Sequence, residues 1–157
     1  DMINKFLVDG TPPELDVLIV DEAQDLAELN WRLVEKLAGN AKKTFIAGDD
    51  DQAIYEWNGA KPQRFVGYEG ENIILNQSYR IPSKVHPIAE KISKRITLRE
   101  PKTYKPREEK GTVNKVGSID MLPVDKGQWL ILASCDYMLT DASKGYNVRK
   151  YLSLIHI

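Results

Sequence analysis

Two stretches of this 157-residue chain hold residues whose types and spacing could do chemistry. The first is Leu18-Ile19-Val20-Asp21-Glu22-Ala23-Gln24-Asp25, an apolar run that ends in adjacent carboxylates. The second is Gly48-Asp49-Asp50-Asp51-Gln52-Ala53-Ile54-Tyr55-Glu56-Trp57, a glycine turn followed by acids, an amide and two aromatics. At the open end of a parallel sheet, Asp21 would hold Mg²⁺ and Glu22 would orient and deprotonate an attacking water. Gln52 can reach a terminal phosphate, or that water, with its amide. Tyr55 and Trp57 can serve as stacking platforms for unpaired bases. This is the chemistry of phosphoryl transfer joined to a grip on a nucleic acid strand. Plainer readings stand beside it: Asp21 and Glu22 as a strand end, Tyr55 and Trp57 as core aromatics.

These residues need elements to place them. Val17–Val20 reads as a strand buried on both faces, and Thr44–Ala47 as its parallel neighbour across a right-handed connection. Between them Leu26, Leu29, Leu33 and Leu37 mark one helical face, flanked by Trp31, Val34 and Ala38. Asp25 is placed to cap this helix with Glu28 three residues on, and Gly39-Asn40 is a stop signal. Ile73-Ile74-Leu75 reads as a third strand. Val85, Ile88, Ala89, Ile92 and Ile96 form a helical stripe with Ser83 as its cap and Pro87 in its first turn. Residues 97–110, with Pro101, Pro106 and many charges, read as an exposed connector. Thr112–Val116 and Trp129–Ala133 read as further strands.

Composition sets bounds. A chain of 157 residues with 42% hydrophobic and 29% charged residues fits a globular protein of about one domain. No apolar run approaches the roughly 20 residues that span a bilayer, so no membrane partner is expected. The one cysteine, Cys135, can form no internal disulfide and points to a reducing, intracellular setting. The net charge of −1 hides a split: residues 1–75 hold 15 acids and 7 bases, residues 76–157 hold 8 acids and 15 bases. Such asymmetry suggests nucleic-acid contact or two electrically different modules. The charge changes sign just after the stretch loosened by Gly59, Pro62, Gly67 and Gly70, which places a domain boundary near residues 60–75.

The set Asp21-Glu22-Ala23-Gln24-Asp25, Gly48-Asp49-Asp50-Asp51-Gln52-Ala53-Ile54-Tyr55, Trp57, Gly59-Ala60 and Leu75-Asn76-Gln77-Ser78-Tyr79-Arg80 resembles the UvrD/Rep type of superfamily 1 DNA helicases. These segments look like its motifs II, III and IV, in order, and the resemblance is strongest over residues 16–96. It implies an α/β fold of P-loop NTPase, RecA-like parallel sheets. Residues 1–70 would be the C-terminal part of the first motor domain and 71–157 the start of the second. It implies ATP and Mg²⁺ as cofactors, with Asp21 and Glu22 at the metal, Glu22 also as catalytic base, and Gln52 as the γ-phosphate sensor. Arg80 would be an arginine finger acting on the transferred phosphoryl group. Tyr55 and Trp57 would contact single-stranded DNA, with translocation running 3′ to 5′. A cytoplasmic protein, bacterial or phage-encoded, follows from the same resemblance. Glu56, Asn58 and Ser134-Cys135 depart from the family pattern at positions where small or basic residues are frequent.

No Gly-Lys pair occurs in the chain, so the phosphate-cradling loop is absent from it. The resemblance therefore implies an internal fragment, inactive by itself, with an open apolar sheet edge at Thr44–Ala47 that invites self-association. The closing segment, Tyr151–Ile157, carries no terminating signal. Other classes compete: a non-catalytic module that binds single strands through Tyr55 and Trp57, and a metal-dependent hydrolase or nuclease built on Asp21, Glu22 and Asp49–Asp51. The chain could also be part of a helicase–nuclease whose nuclease lies elsewhere.

Overall fold

The computed structural model describes residues 2–118, 121–122, 126 and 129–132. Cys135, Ala133 and the closing segment lie outside them. The chain divides into two compact units, Asp1–Gly111 and Thr112–Ile157.

The first unit opens with helix α1 (Met2–Asp9), which the sequence pattern did not signal. Strand β1 (Leu15–Val20), helix α2 (Glu28–Ala38) and strand β2 (Ala41–Ile46) follow. The two strands are parallel, with Leu18 opposite Thr44 and Val20 opposite Ile46. This is the expected strand–helix–strand unit, and the fold is mixed α/β with parallel strands. Helix α3 (Pro62–Val66), strand β3 (Gln77–Pro82), helix α4 (His86–Ser93) and strand β4 (Lys105–Arg107) complete the unit. β3 and β4 form a second parallel pair.

One helix covers one face of the first sheet. Trp31 and Val34 of α2 are buried with Ala23, and Val20, Leu26, Ile46 and Phe65 pack around them. The buried centre of α2 is thus Trp31 and Val34, whereas Leu29, Leu33 and Leu37 are only half-buried. Tyr68 stacks on Trp31 at 5.9 Å between ring centroids, and Arg64 lies over the indole while reaching Glu28 and Glu35. The expectation that β1 is buried on both faces does not hold. Val17 and Ile19 point away from α2 and are exposed, because no element covers that face among the described residues.

Several local expectations are corrected. Asp25 does not cap α2: it ends a 3-10 turn at Ala23–Asp25, and Ala27 is the N-cap with no side-chain bond. Ser83 does not cap α4 either, since its hydroxyl donates to the Glu109 carbonyl and Val85 takes the cap position. Pro87 does fall in the first turn. Ile73–Leu75 is exposed and forms no strand; the pairing lies later, at Gln77–Pro82. Residues 97–110 are not a free connector, because Lys102 is buried in an ion-pair cluster and Lys105–Arg107 is β4. In the second unit, residues 112–116 and 129–132 form no strand.

Candidate functional site

The parallel ladder continues past the ends of β1 and β2. The Ala47 N–H donates to the Val20 carbonyl at 2.8 Å, and the Ala23 N–H donates to the Ala47 carbonyl at 3.0 Å. These two bonds bring the Asp21-Glu22 end of β1 against the Gly48 turn at the end of β2.

Close approach, not a special dihedral, requires glycine at 48. A Cβ there would lie 2.5 Å from Gln24 Oε1 and 3.0 Å from Phe65 Cζ. Positive φ occurs instead at Glu22, the one non-glycine residue among those described that adopts it, at 51°. Such a conformation costs of the order of 1–3 kcal/mol and tends to gather at functional sites.

Asp21 Oδ1 accepts the Glu22 N–H at 2.9 Å. Its second oxygen has no protein partner among the described residues. One exposed carboxylate fits Mg²⁺, which favours one or two carboxylates and fills its octahedron with water and phosphate.

Glu22 connects to the second motif through Gln24, whose amide is 1% exposed. Gln24 Nε2 donates to Glu22 Oε2 at 2.7 Å, and Gln24 Oε1 accepts the Asp49 N–H at 3.0 Å. Asp49 Oδ2 in turn accepts from Gln52 Nε2 at 2.6 Å. A continuous chain of polar contacts therefore runs from the Glu22 carboxylate to the Gln52 amide. Asp25 sits beside it, and burial together with the nearby Glu22 charge raises its carboxyl above the usual range.

Asp49, Asp50 and Asp51 are occupied by the segment after α4. Lys102 Nζ lies 2.8 Å from Asp49 Oδ1 and also pairs with Asp50. Arg99 grips both oxygens of Asp51 at 2.7 and 2.8 Å, a bidentate pair. Burial pushes the Asp49 carboxyl up, but the bonds from Lys102 and Gln52 and the Lys102 charge outweigh it, and the net shift is downward. The Tyr104 hydroxyl is pushed up to about 12 by burial and by the Asp49 and Asp51 charges. No group of three or more His, Cys, Asp or Glu residues among the described residues is placed to hold a metal ion. The nuclease arrangement of Asp21, Glu22 and Asp49–Asp51 is thus not assembled.

The aromatic pair stands just downstream. Tyr55 and Trp57 have ring centroids 6.5 Å apart at 50°, and Trp57 is 60% exposed. Glu56, between them, accepts from Gln63 Nε2 at 2.7 Å. Arg80 is exposed on β3, in the other sheet, and makes no ion pair among the described residues. The structure brings Glu22 and Gln52 into one network and leaves Arg80 outside it. Gln24 and Lys102 are the members that residue-by-residue reasoning missed. Gln24 appeared only as part of a motif, and the one local hint for Lys102 was a cation in a chain with a three-acid run to neutralise.

Residues 5–71 match the model of the UvrD/REP helicase N-terminal domain. The chain carries a segment of the UvrD/Rep helicase type. A probable DNA helicase II homolog of Mycoplasma capricolum is 35% identical over 92 residues, covering 55% of this chain and 13% of the relative. The ATP-dependent DNA helicase PcrA of Staphylococcus epidermidis is 35% identical over 88 residues, 53% of this chain and 12% of its own length. DNA helicase II of Escherichia coli is 42% identical over 73 residues, 43% of this chain and 10% of that protein. The UvrD/Rep-type segment thus spans only 10–13% of the length of these relatives. It contains Asp21, Glu22, Gln24, Asp49, Gln52, Tyr55 and Trp57. Among the described residues no helix is long and apolar enough to cross a membrane.

Proposed function

We propose that this chain supplies part of an ATP-dependent DNA helicase that couples ATP hydrolysis to 3′-to-5′ translocation on single-stranded DNA. The supporting observation is the polar relay Glu22–Gln24–Asp49–Gln52, which ties a base candidate to a phosphate-sensing candidate. Residues 1–70 would belong to the first RecA-like domain and 71–157 to the second. Asp21 would hold Mg²⁺, which neutralises charge on the transferred phosphate. Glu22 would take a proton from the attacking water, and the Gln52 amide would meet the terminal phosphate and that water. Arg80, exposed on β3 and outside the relay, would act across the domain boundary as an arginine finger. Tyr55 and Trp57 would stack on bases. With no Gly-Lys pair, this chain alone should hydrolyse no ATP. The whole protein would work inside a bacterial cell, in bacterial or phage metabolism.

The test is to read the coding sequence around this segment and express the complete reading frame. An in-frame Gly-x-x-x-x-Gly-Lys-Ser/Thr ahead of Asp1 is expected. DNA-stimulated ATP hydrolysis should then fall about 10²–10⁴-fold in Glu22→Gln. A frame without that loop, or a Glu22→Gln protein that hydrolyses normally, would sink the proposal. The exposure of Trp57 beside Tyr55 favours a second reading, strand binding without hydrolysis. That reading expects salt-sensitive binding of an oligonucleotide, lost in Trp57→Ala and indifferent to ATP.

A further inference from the structure

The basic segment after α4 meets the Gly48–Gln52 turn through several groups with different targets. Arg99 touches Asp51 alone, through both oxygens. The Glu100 N–H donates to Asp50 Oδ2 at 2.6 Å. Lys102, its side chain 6% exposed, reaches Asp49 and Asp50 and lies 3.8 Å from Asp51 Oδ2. The Tyr104 hydroxyl lies 3.4 Å from Asp49 Oδ1. Asp49 is the shared member. One of its oxygens takes Lys102 at 2.8 Å and the other takes Gln52 at 2.6 Å.

This sharing fixes the sense of the Gln52 amide. An ionised carboxylate only accepts hydrogen bonds, so Gln52 must turn its nitrogen toward Asp49. Gln52 Oε1 is then the outward end of an exposed side chain, with no protein partner among the described residues. A carbonyl oxygen accepts a hydrogen from water and is repelled by a phosphate oxygen. The second hydrogen on Nε2 remains for a phosphate.

We propose that Lys102 is a positioning residue for Gln52, holding Asp49 so that the Gln52 amide presents its oxygen to the reacting water. Residues 99–104 thereby set the geometry of a group some 50 residues earlier in the chain. The functional meaning rests on the reading of Gln52 given above; the Lys102–Asp49–Gln52 coupling does not.

The coupling is tested by NMR on this chain, with the Gln52 side-chain amide pair assigned by its disappearance in Gln52→Glu. Two separate, slowly exchanging resonances are expected. They should collapse toward free-glutamine positions in Lys102→Met, return in Lys102→Arg and stay put in Arg99→Met. An unmoved pair in a folded Lys102→Met, or an equal effect of Arg99→Met, overturns the proposal. Lys102→Met leaves buried acids unpaired, so a wild-type measurement covers the case in which it does not fold. There the Gln52 pair should follow the ionisation of the Asp49 carboxylate, and a pair indifferent to that ionisation also overturns the proposal. In the complete protein, Lys102→Met should lower kcat about tenfold with little change in KM for ATP. Normal hydrolysis by Gln52→Ala would instead remove the functional reading and leave the NMR result to decide the coupling.

Discussion

The Gln24 side chain donates to the Glu22 carboxylate over 2.7 Å while its oxygen receives the backbone N–H of Asp49. Both ends of a buried amide are thus in use, one on each motif. Gln24→Leu leaves the Asp49 N–H and one Glu22 oxygen without their partner and should cost about 2–4 kcal/mol. Gln24→Glu should cost more, because it puts a carboxylate in a buried position beside Glu22 and Asp25. Glu22→Gln, at an exposed site, should change stability by less than about 0.5 kcal/mol. Urea unfolding of the three variants gives this order directly.

Gly48→Ala should destabilise the chain by about 1–3 kcal/mol, the usual cost of forcing an atom into packed space. The added methyl meets Gln24 Oε1, which cannot retreat without leaving the Asp49 N–H. Gly59→Ala tests the contrast. Nothing stands within 4 Å of a Cβ there, but φ is 93°, so strain and not collision is the penalty. Thermal melts should show both losses, and combining Gly48→Ala with Gln24→Ala should recover part of the first.

Two carboxylates give the stability opposite pH dependences. Asp49 is held below its ordinary value of 3.8, so its contribution is present above that value and is lost as pH falls through the lower folded pKa. Asp25 is raised above 3.8, so its contribution is present below that value and is lost as pH rises through the higher folded pKa. Denaturant melts between about pH 3 and pH 7 should therefore show wild type losing ground to Asp25→Asn on the way up. Were the two proteins to keep a constant gap over that range, the assignment to Asp25 would be wrong.

Among the described residues the first sheet has two strands, and Ile19 and Phe45, 70% and 55% exposed, lie side by side on its uncovered face. Unpaired strand edges beside apolar surface template further pairing. Light scattering at high concentration should report species larger than a monomer, reduced by Ile19→Lys or Phe45→Lys. A clean monomer at every concentration would count against it.

What was legible in the sequence was local. Val17–Val20 announced β1 because four apolar residues before two acids have few other solutions. The leucine period announced α2, yet it did not show that Trp31 would be the buried centre, because that depends on Ile46 and Phe65 arriving from elsewhere. Lys102 was illegible for the same reason. Read locally it belongs to a charged, proline-bearing stretch that looks solvated, and its partners lie more than 50 residues away. Ile73–Leu75 failed in the other direction. Its apolar run suits a strand, but no neighbour among the described residues pairs with it, and Gln77–Pro82 forms β3 with Lys105–Arg107 despite a proline in each. Within the candidate site, Glu22 and Gln52 stood out as candidates by their places in the two motifs. The amide that joins them was not, since glutamine carries no signal until its two ends find their partners.

The left-handed backbone at Glu22 has a consequence for anyone who engineers this chain. Glycine, asparagine or aspartate would sit there more comfortably than glutamate. A thermostabilising redesign guided by dihedral preference alone would therefore nominate position 22 early. It would gain melting temperature by removing the glutamate that Gln24 ties to the neighbouring motif, and screening by heat resistance would never notice the loss.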